Sequence, residues 1–450
     1  MTTTDQMASF VQSVSYEELE DDVIDALKRR ILDAIGVGIG AIGHEPVEAV
    51  RKTVGESSKH GRCTLWGYDA TASPEQAAMM NTTLTRFLDY MDSYLAPGET
   101  PHPMDNIATA VVCGEYVDAS GKELIEGVAV AYEIQHKLAY NAPVRDRGWD
   151  HVTQTIFSAT AAAAKMLGLD KQETMHALGI AGTAHNALRV TRTGEIGMWK
   201  GLAAANTARN AVYSAMLAKN GVEGPTDVFE GEKGWKHIVA GDFECTFDEG
   251  CESVHDVMAK KYVAETYAQS AVEGLLELID AHDLDPERIE SIHLETFAGA
   301  KQIIGGGEGG DRHTVHSREQ ADHSLPYMLA VAALDGTLME KQYAAERIEQ
   351  DDVQSLLTSV AIEASEELTE RFEDGEMPAI LTVETADDVY EIEKSGFAGH
   401  PTNPMDWDQL EAKFDGIVGE YFTDEGRDEI IERVKHLESY QIHDLVALIE

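Results

Sequence analysis

The spacing of apolar residues changes once along the chain and later changes back. Up to about Gly221 the segments PEQAAMMNTTLTRFLDYM, GKELIEGVAVAYEIQHKLAY, TIFSATAAAAKMLGL, KQETMHALGIAGTAH and LAAANTARNAVYSAMLAKNG carry alanine and leucine at i, i+3 and i+4 steps. Several of them stop at glycine. That period predicts a run of helices at short spacing, not a sheet. SYEELEDDVIDALKRRILDAIGVGIGA, ahead of them, predicts another helix, opened by a capping box from Ser15 to Glu18. Pro74 suits the first turn of the next.

From about Tyr262 the texture differs. ETYAQSAVEGLLELIDAH predicts one more helix, IESIHLETF alternates like a strand, and AILTVETADDVYEIEKS predicts two strands joined at Asp387 and Asp388. A helix, SLPYMLAVAALDG, lies between them. After His400, DWDQLEAKFDGIVGEYF and DEGRDEIIERVKHLESY return to the helical period. The fold class is therefore mainly α. A large all-helical domain, built from residues 1–261 and 397–450, is interrupted by a smaller α+β domain over 262–396.

Charge narrows the partners. Asp and Glu number 81 against 35 Lys and Arg, a net charge of −46. Such a chain repels nucleic-acid phosphates and anionic membrane surfaces. The acids are spread over the whole length, which fits a solvated acidic coat that molar salt would screen. The expectation is a cytoplasmic protein of a salt-accumulating organism; a merely acidic protein of an ordinary cell is the plainer alternative. The N-terminus lacks a basic region followed by an apolar stretch, and the stretch from Ile35 to Gly43 is too short to span a bilayer. Cys63, Cys113, Cys245 and Cys251 show no finger or cluster spacing, and no HExxH occurs, so no metal site is signalled.

Candidate chemistry begins in TLTRFLDYMDSYL. Continued as a helix, it puts Leu84, Phe87, Leu88, Met91 and Leu95 on one stripe and Asp89, Asp92 and Ser93 on the other face. His102 follows, held between Pro101 and Pro103. Carboxylates facing a rigidly held imidazole suit acid–base chemistry; a solvated acidic face beside a turn histidine fits the same pattern. Lys200, and Lys260 with Lys261, each precede a helical stretch. A cation there is unfavourable unless an anion is bound, so each place suits a carboxylate or an exposed lysine. His151 precedes a long apolar helix, and His323 and Ser324 precede Pro326 and Tyr327. GGGEGGD, from Gly305 to Asp311, lacks a phosphate-loop ending and reads as a mobile loop.

Together FLDYMDSYL, HPMDN, GWDHV, MWKG, FEGEKG, KKYVAETYAQSAVE, ADHSLPY and GHPTNPM resemble, in order, the blocks of the MmgE/PrpD family and within it the 2-methylcitrate dehydratases. The resemblance implies a helical domain built from both chain ends, an inserted α+β lid, a substrate pocket between them and a homodimer. It implies a small-molecule tricarboxylate substrate and no metal or organic cofactor. The positions matching the family's active-site set are Asp89, Ser93, His102, His151, Lys200, Lys260 and Tyr327. Glu265 and Gln269 match the dehydratase branch, whereas the related cis-aconitate decarboxylases carry His at the Glu265 position. Ser93 stands where Thr is common, and Val263 where Pro is usual.

The reaction so implied removes a proton from a carbon bearing a carboxylate and expels hydroxide as water. Developing charge needs cations, and Lys200, Lys260 and Arg192 are the expected clamps. Asp89, His102 and His151 are the acid–base candidates, with His102 placed closest to chemistry and Asp89 as its partner. Ser93, Glu265, Gln269 and Tyr327 are expected to bind substrate, Tyr327 by donating to one of its oxygens. A related decarboxylase or dicarboxylate epimerase, and a helical binding protein without catalysis, are the alternatives.

Overall fold

A computed structural model describes residues 1–58, 61–193, 197–307 and 310–450. The loop reading at Gly305 to Asp311 falls partly on 308–309, outside the described residues. The chain divides into two compact units, Met1–Met258 with Asp406–Glu450, and Ala259–Met405.

The first unit is a stack of helices: Asp21–Gly40, Pro74–Phe87, Ile107–Val117, Gly121–Asn141, Val152–Met166, Lys171–Ala184 and Ala203–Lys219, with Trp407–Val418 and Asp424–Lys435 from the chain's end. Val152–Met166 is buried on every face from Val152 to Ala164. A helix buried all round belongs in a core, and its alanines let neighbours approach closely. Boxed N-termini start helices here, among them Ser120 with Glu123 and Asp170 with Glu173.

Glycine lets the returning segment dock. A Cβ on Gly36 would lie 2.8 Å from the Phe414 ring, so Trp407–Val418 seats on Asp21–Gly40 only because that face is bare. Lys413 locks the same pair of helices through Asp33 at 2.7 Å.

Two expected details differ. The box at Ser15 does not form: Tyr16–Glu18 is a single 3₁₀ turn, Leu19 is extended, and the helix starts at Asp21. The Tyr16 N–H goes to Glu126 Oε1 at 3.0 Å instead. The helix from Pro74 ends at Phe87, because Leu88 caps it and Asp89 turns left-handed at φ 54°. Asp89, Asp92 and Ser93 are therefore loop residues, not one face of a helix.

The second unit is α+β. Its sheet runs Val360–Ala364, Ile289–Thr296, Ala379–Thr385, Val389–Lys394; the first pair is parallel and the others antiparallel. Leu294 sits between Ile362 and Leu381, all buried, and Gln269–His282 and Leu325–Asp335 are the unit's long helices. Residues 397–405 stay with this unit, past the boundary expected at 396. Ala259 N–H donates to the Gly399 carbonyl at 2.9 Å, and Ala398 N–H to Glu273 at 3.1 Å. Among the described residues no helix is long and apolar enough to cross a membrane.

Candidate active site

The site in the first unit is built on the loop that follows the Pro74–Phe87 helix. Its entrance is Asp89, whose φ of 54° is uncommon outside glycine but is tolerated by Asp and Asn. This turn aims the carboxylate at two cations. Oδ1 lies 3.2 Å from Arg86 Nη1, and Oδ2 lies 3.2 Å from Lys200 Nζ. The anion expected near Lys200 is thus supplied in part by the protein. Lys200 sits in the 3₁₀ turn Met198–Gly201, just ahead of Ala203–Lys219.

Asp92 is fully buried and fixes the loop. Its carboxylate accepts from Tyr132 O–H at 2.6 Å and Met104 N–H at 2.9 Å. Burial pushes its pKa up to about 6, against the pull of Arg30 and of these two bonds. Its backbone carbonyl lies 2.7 Å from His102 Nδ1. A carbonyl can only accept, so Nδ1 carries a proton; in the neutral ring the lone pair is then on Nε2. Ser93 Oγ is 3.2 Å from the same Nδ1. Ser93 itself is pinned by reciprocal backbone bonds to Met258 at 3.0 and 2.8 Å.

His151, which opens Val152–Met166, packs edge-on to His102 with ring centroids 5.3 Å apart. Its Nδ1 is 3.4 Å from Asp150 Oδ1 and its Nε2 is 3.9 Å from Asp105 Oδ2. Burial, followed by Arg192, Arg86, Arg145 and Arg189, holds its pKa well below the ordinary value, so the ring is neutral. Four arginines around one histidine make this place electropositive inside a chain of net charge −46. Arg192 Nε binds Asp150 Oδ2 at 2.6 Å. Burial would raise Asp150, yet Arg192 brings it below the usual carboxylate value.

Asp105, not singled out from the sequence, lies at the centre. It is 1% exposed, and Oδ1 is 3.9 Å from Arg86 Nε. Burial and the nearby Asp92 and Asp150 push its pKa up to about 7, with Arg86 and Arg192 pulling the other way. Both its oxygens, Arg86 Nε, His151 Nε2 and Arg192 Nη2 are buried without a hydrogen-bond partner among the described residues. Such a cluster of unsatisfied polar atoms is rare in a finished core and marks a place built for polar occupants. The signal for Asp105 was present in HPMDN; the signal for Arg86 was one cation inside an otherwise uncharged helix stretch.

The structure therefore gathers Asp89, Ser93, His102, His151, Arg192 and Lys200. The remaining expected residues belong to the second unit. Lys260 is 1% exposed there, and Lys261 pairs with Glu273 at 2.9 Å. Glu265 caps the turn Thr266–Ala268, accepting from Tyr267 N–H at 2.7 Å.

Two residues expected to bind substrate have their donors engaged within the protein. Gln269 spends its amide on its own turn: Oε1 accepts from Lys261 and Tyr262 N–H at 3.0 and 3.1 Å, and Nε2 donates to the Tyr262 and Ala264 carbonyls at 3.0 and 3.3 Å. Tyr327 is buried, and its single hydroxyl proton goes to the Gln342 carbonyl. Neither group has a donor left for a substrate oxygen. Val263, where the resembling family has Pro, donates its N–H to the Leu338 carbonyl at 3.2 Å, a bond Pro could not make.

Comparison with known proteins places both parts of the chain in one family. Residues 5–248 match the MmgE/PrpD N-terminal domain, and residues 262–437 match the MmgE/PrpD C-terminal domain. The chain is 26% identical over 397 residues to the 2-methylcitrate dehydratase of Salmonella typhi, covering 83% of this chain and 81% of that protein. It is 27% identical over 349 residues to the 2-methylcitrate dehydratase of Cupriavidus necator, covering 73% and 70%. An alkylcitrate dehydratase of a fungal species is 25% identical over 451 residues, covering 93% and 88%.

Proposed function

The chain belongs to the MmgE/PrpD family and is an enzyme of the hydro-lyase kind; from that premise we propose that it removes water from 2-methylcitrate to give 2-methyl-cis-aconitate, a step of propionate breakdown. The observation that carries the reading is the tautomer of His102. With Nδ1–H held by the Asp92 carbonyl, the ring's position is fixed by backbone, and Nε2 is assigned as the base. Proton removal next to a carboxylate builds charge on an already negative group. Arg86, Arg192 and Lys200 supply the positive field that such an intermediate and a tricarboxylate both require. Asp89 bridges Arg86 and Lys200 and offsets their mutual repulsion. Lys260 and Glu265 enter the proposal through the family resemblance alone.

The same reading includes a salt-adapted cytoplasmic enzyme working as a homodimer. The test is an assay of purified protein in concentrated KCl, on the species sized by light scattering and expected at twice the chain mass. It should turn 2-methylcitrate into a product lighter by one water. Release of CO₂, or no loss of water from folded enzyme, would replace this reading. His102→Gln keeps the size and loses the base, so kcat should fall roughly 100- to 10,000-fold with the fold intact. A folded variant with full kcat would remove His102 from the mechanism.

A further inference from the structure

We propose that Asp105 is the acid that protonates the departing hydroxyl group, with neutral His151 orienting that hydroxyl. The inference rests on the dehydratase reading and assigns the half of the reaction that His102 cannot perform, since one imidazole base cannot also begin as the acid.

The geometry carries it. Asp105 Oδ2 and His151 Nε2 are 3.9 Å apart, too far for a bond to each other. Both are buried and without a hydrogen-bond partner among the described residues. One oxygen carrying one hydrogen satisfies both at once. It accepts from the Asp105 carboxyl proton and donates its own hydrogen to the Nε2 lone pair. An alcohol hydroxyl is such a group. The other Asp105 oxygen lies 3.9 Å from Arg86 Nε, also unsatisfied, which places a fixed cation where the carboxylate charge appears.

The charged and titratable groups around Asp105 come from four segments. They are Arg86 of the Pro74–Phe87 helix, Asp92 of the following loop, Asp150 with His151, and Arg192 of the turn Arg189–Arg192. Burial and the two neighbouring aspartates keep the Asp105 carboxyl protonated up to about pH 7, and burial with the arginines keeps His151 neutral. The acid and the hydrogen-bond acceptor are thus in the states the step requires.

The step balances. His102 Nε2 takes the proton from carbon, and the C–H electrons become the new C=C bond. The C–O bond breaks with its electron pair going to oxygen, and the Asp105 proton completes a water molecule. His102 ends as imidazolium and Asp105 as carboxylate; exchange with solvent returns one proton and removes the other.

Asp105→Asn tests this, because the amide keeps the shape and hydrogen bonding but carries no acidic proton. The variant should dehydrate 2-methylcitrate at least 100-fold more slowly with KM within about threefold. Its kcat profile should lose the alkaline limb that wild type shows as Asp105 ionises. In deuterium oxide the variant should still exchange the substrate's carbon-bound hydrogen, since His102 is intact, whereas His102→Gln should not. Unchanged kcat and alkaline limb would overturn the proposal. So would a folded variant that loses exchange together with dehydration, which is the mark of a purely structural residue. An infrared difference spectrum of wild type against Asp105→Asn is independent of any substrate. A protonated-carboxyl band that titrates near neutrality is expected, and its absence overturns the assignment. If wild type shows that band but does not dehydrate 2-methylcitrate, the substrate reading fails and the acid role toward that hydroxyl fails with it. The buried proton alone then stands.

Discussion

Asp89 and Asp105 show how much a carboxylate's surroundings decide its work. Asp89 is half of a clamp, held between Arg86 and Lys200 in a left-handed turn. Asp89→Asn keeps a residue that tolerates the turn, so thermal stability should change little while kcat/KM falls at least tenfold. Asp89→Leu should cost an added ~1–2 kcal/mol of folding free energy for the same φ. Equal stability of the two variants in urea would remove the turn from the explanation. Asp105 behaves oppositely. Its folded pKa lies above its unfolded one, so the folded state binds more protons between about pH 4 and pH 7. Its contribution to stability is present in full below that window and lost as pH rises through about 7. Wild type should therefore lose stability relative to Asp105→Asn across the window, on the order of 4 kcal/mol. His102, Asp89 and Lys200 were legible because prolines and scarce cations mark them. Asp105 was not, because one carboxylate in a chain with 81 acids carries no signal until its burial is known. For Gln269 and Tyr327 the residue type was legible, but not that their protons go to the Tyr262, Ala264 and Gln342 carbonyls.

Helices were readable from their period, and their ends were less so. Pro74–Phe87 stops where the apolar stripe continues, because Asp89 leaves the helical region to reach its cations. The strand Val360–Ala364 escaped notice because it is short, lies at a sheet edge and shows only Val360 and Ile362 buried. Ser15 and Glu18 have capping chemistry without a helix to cap, while Asp406 with Gln409 forms a box at the start of the returning helix. That helix supports the site. Lys413 reaches Asp33 at 2.7 Å, lies 3.9 Å from the Tyr90 ring centroid, and donates to the Tyr90 carbonyl at 3.4 Å. Tyr90 adjoins Asp89, so one buried ammonium ties the returning helix to the catalytic loop. Lys413→Ala leaves Asp33 charged and unpaired and should cost about 3 kcal/mol by urea denaturation. Asp33→Leu with Lys413→Met should recover most of that stability yet not the activity, since the Tyr90 carbonyl loses its donor. A Lys413→Ala loss under 1 kcal/mol would show that the pair does not bear on stability.

At the scale of the molecule the controlling quantity is the charge of −46. Compact folding brings these acids closer together than the unfolded chain holds them, so self-repulsion opposes the fold. Exposed ion pairs offset little of it, because pairs such as Arg427 with Asp424 or Lys122 with Glu17 stand in water, which screens their attraction. Salt screens both terms, but 81 acids face only 35 Lys and Arg, so the repulsion lost exceeds the attraction lost. The Debye length shrinks from about 8 Å at physiological salt to about 3 Å at 1 M, shorter than most spacings between surface carboxylates. The buried site is screened far less, and the fields of Arg86, Arg192 and Lys200 persist. The midpoint of thermal unfolding should therefore rise by about 10 °C or more between 0.1 and 2 M KCl, while kcat of the folded enzyme changes less than threefold. Calorimetry and an assay on the same samples check both halves. A flat or falling midpoint would mean that the acidic coat does not limit this fold. A kcat that collapses while the protein stays folded would mean that the site's arginines are open to solvent ions, against their burial.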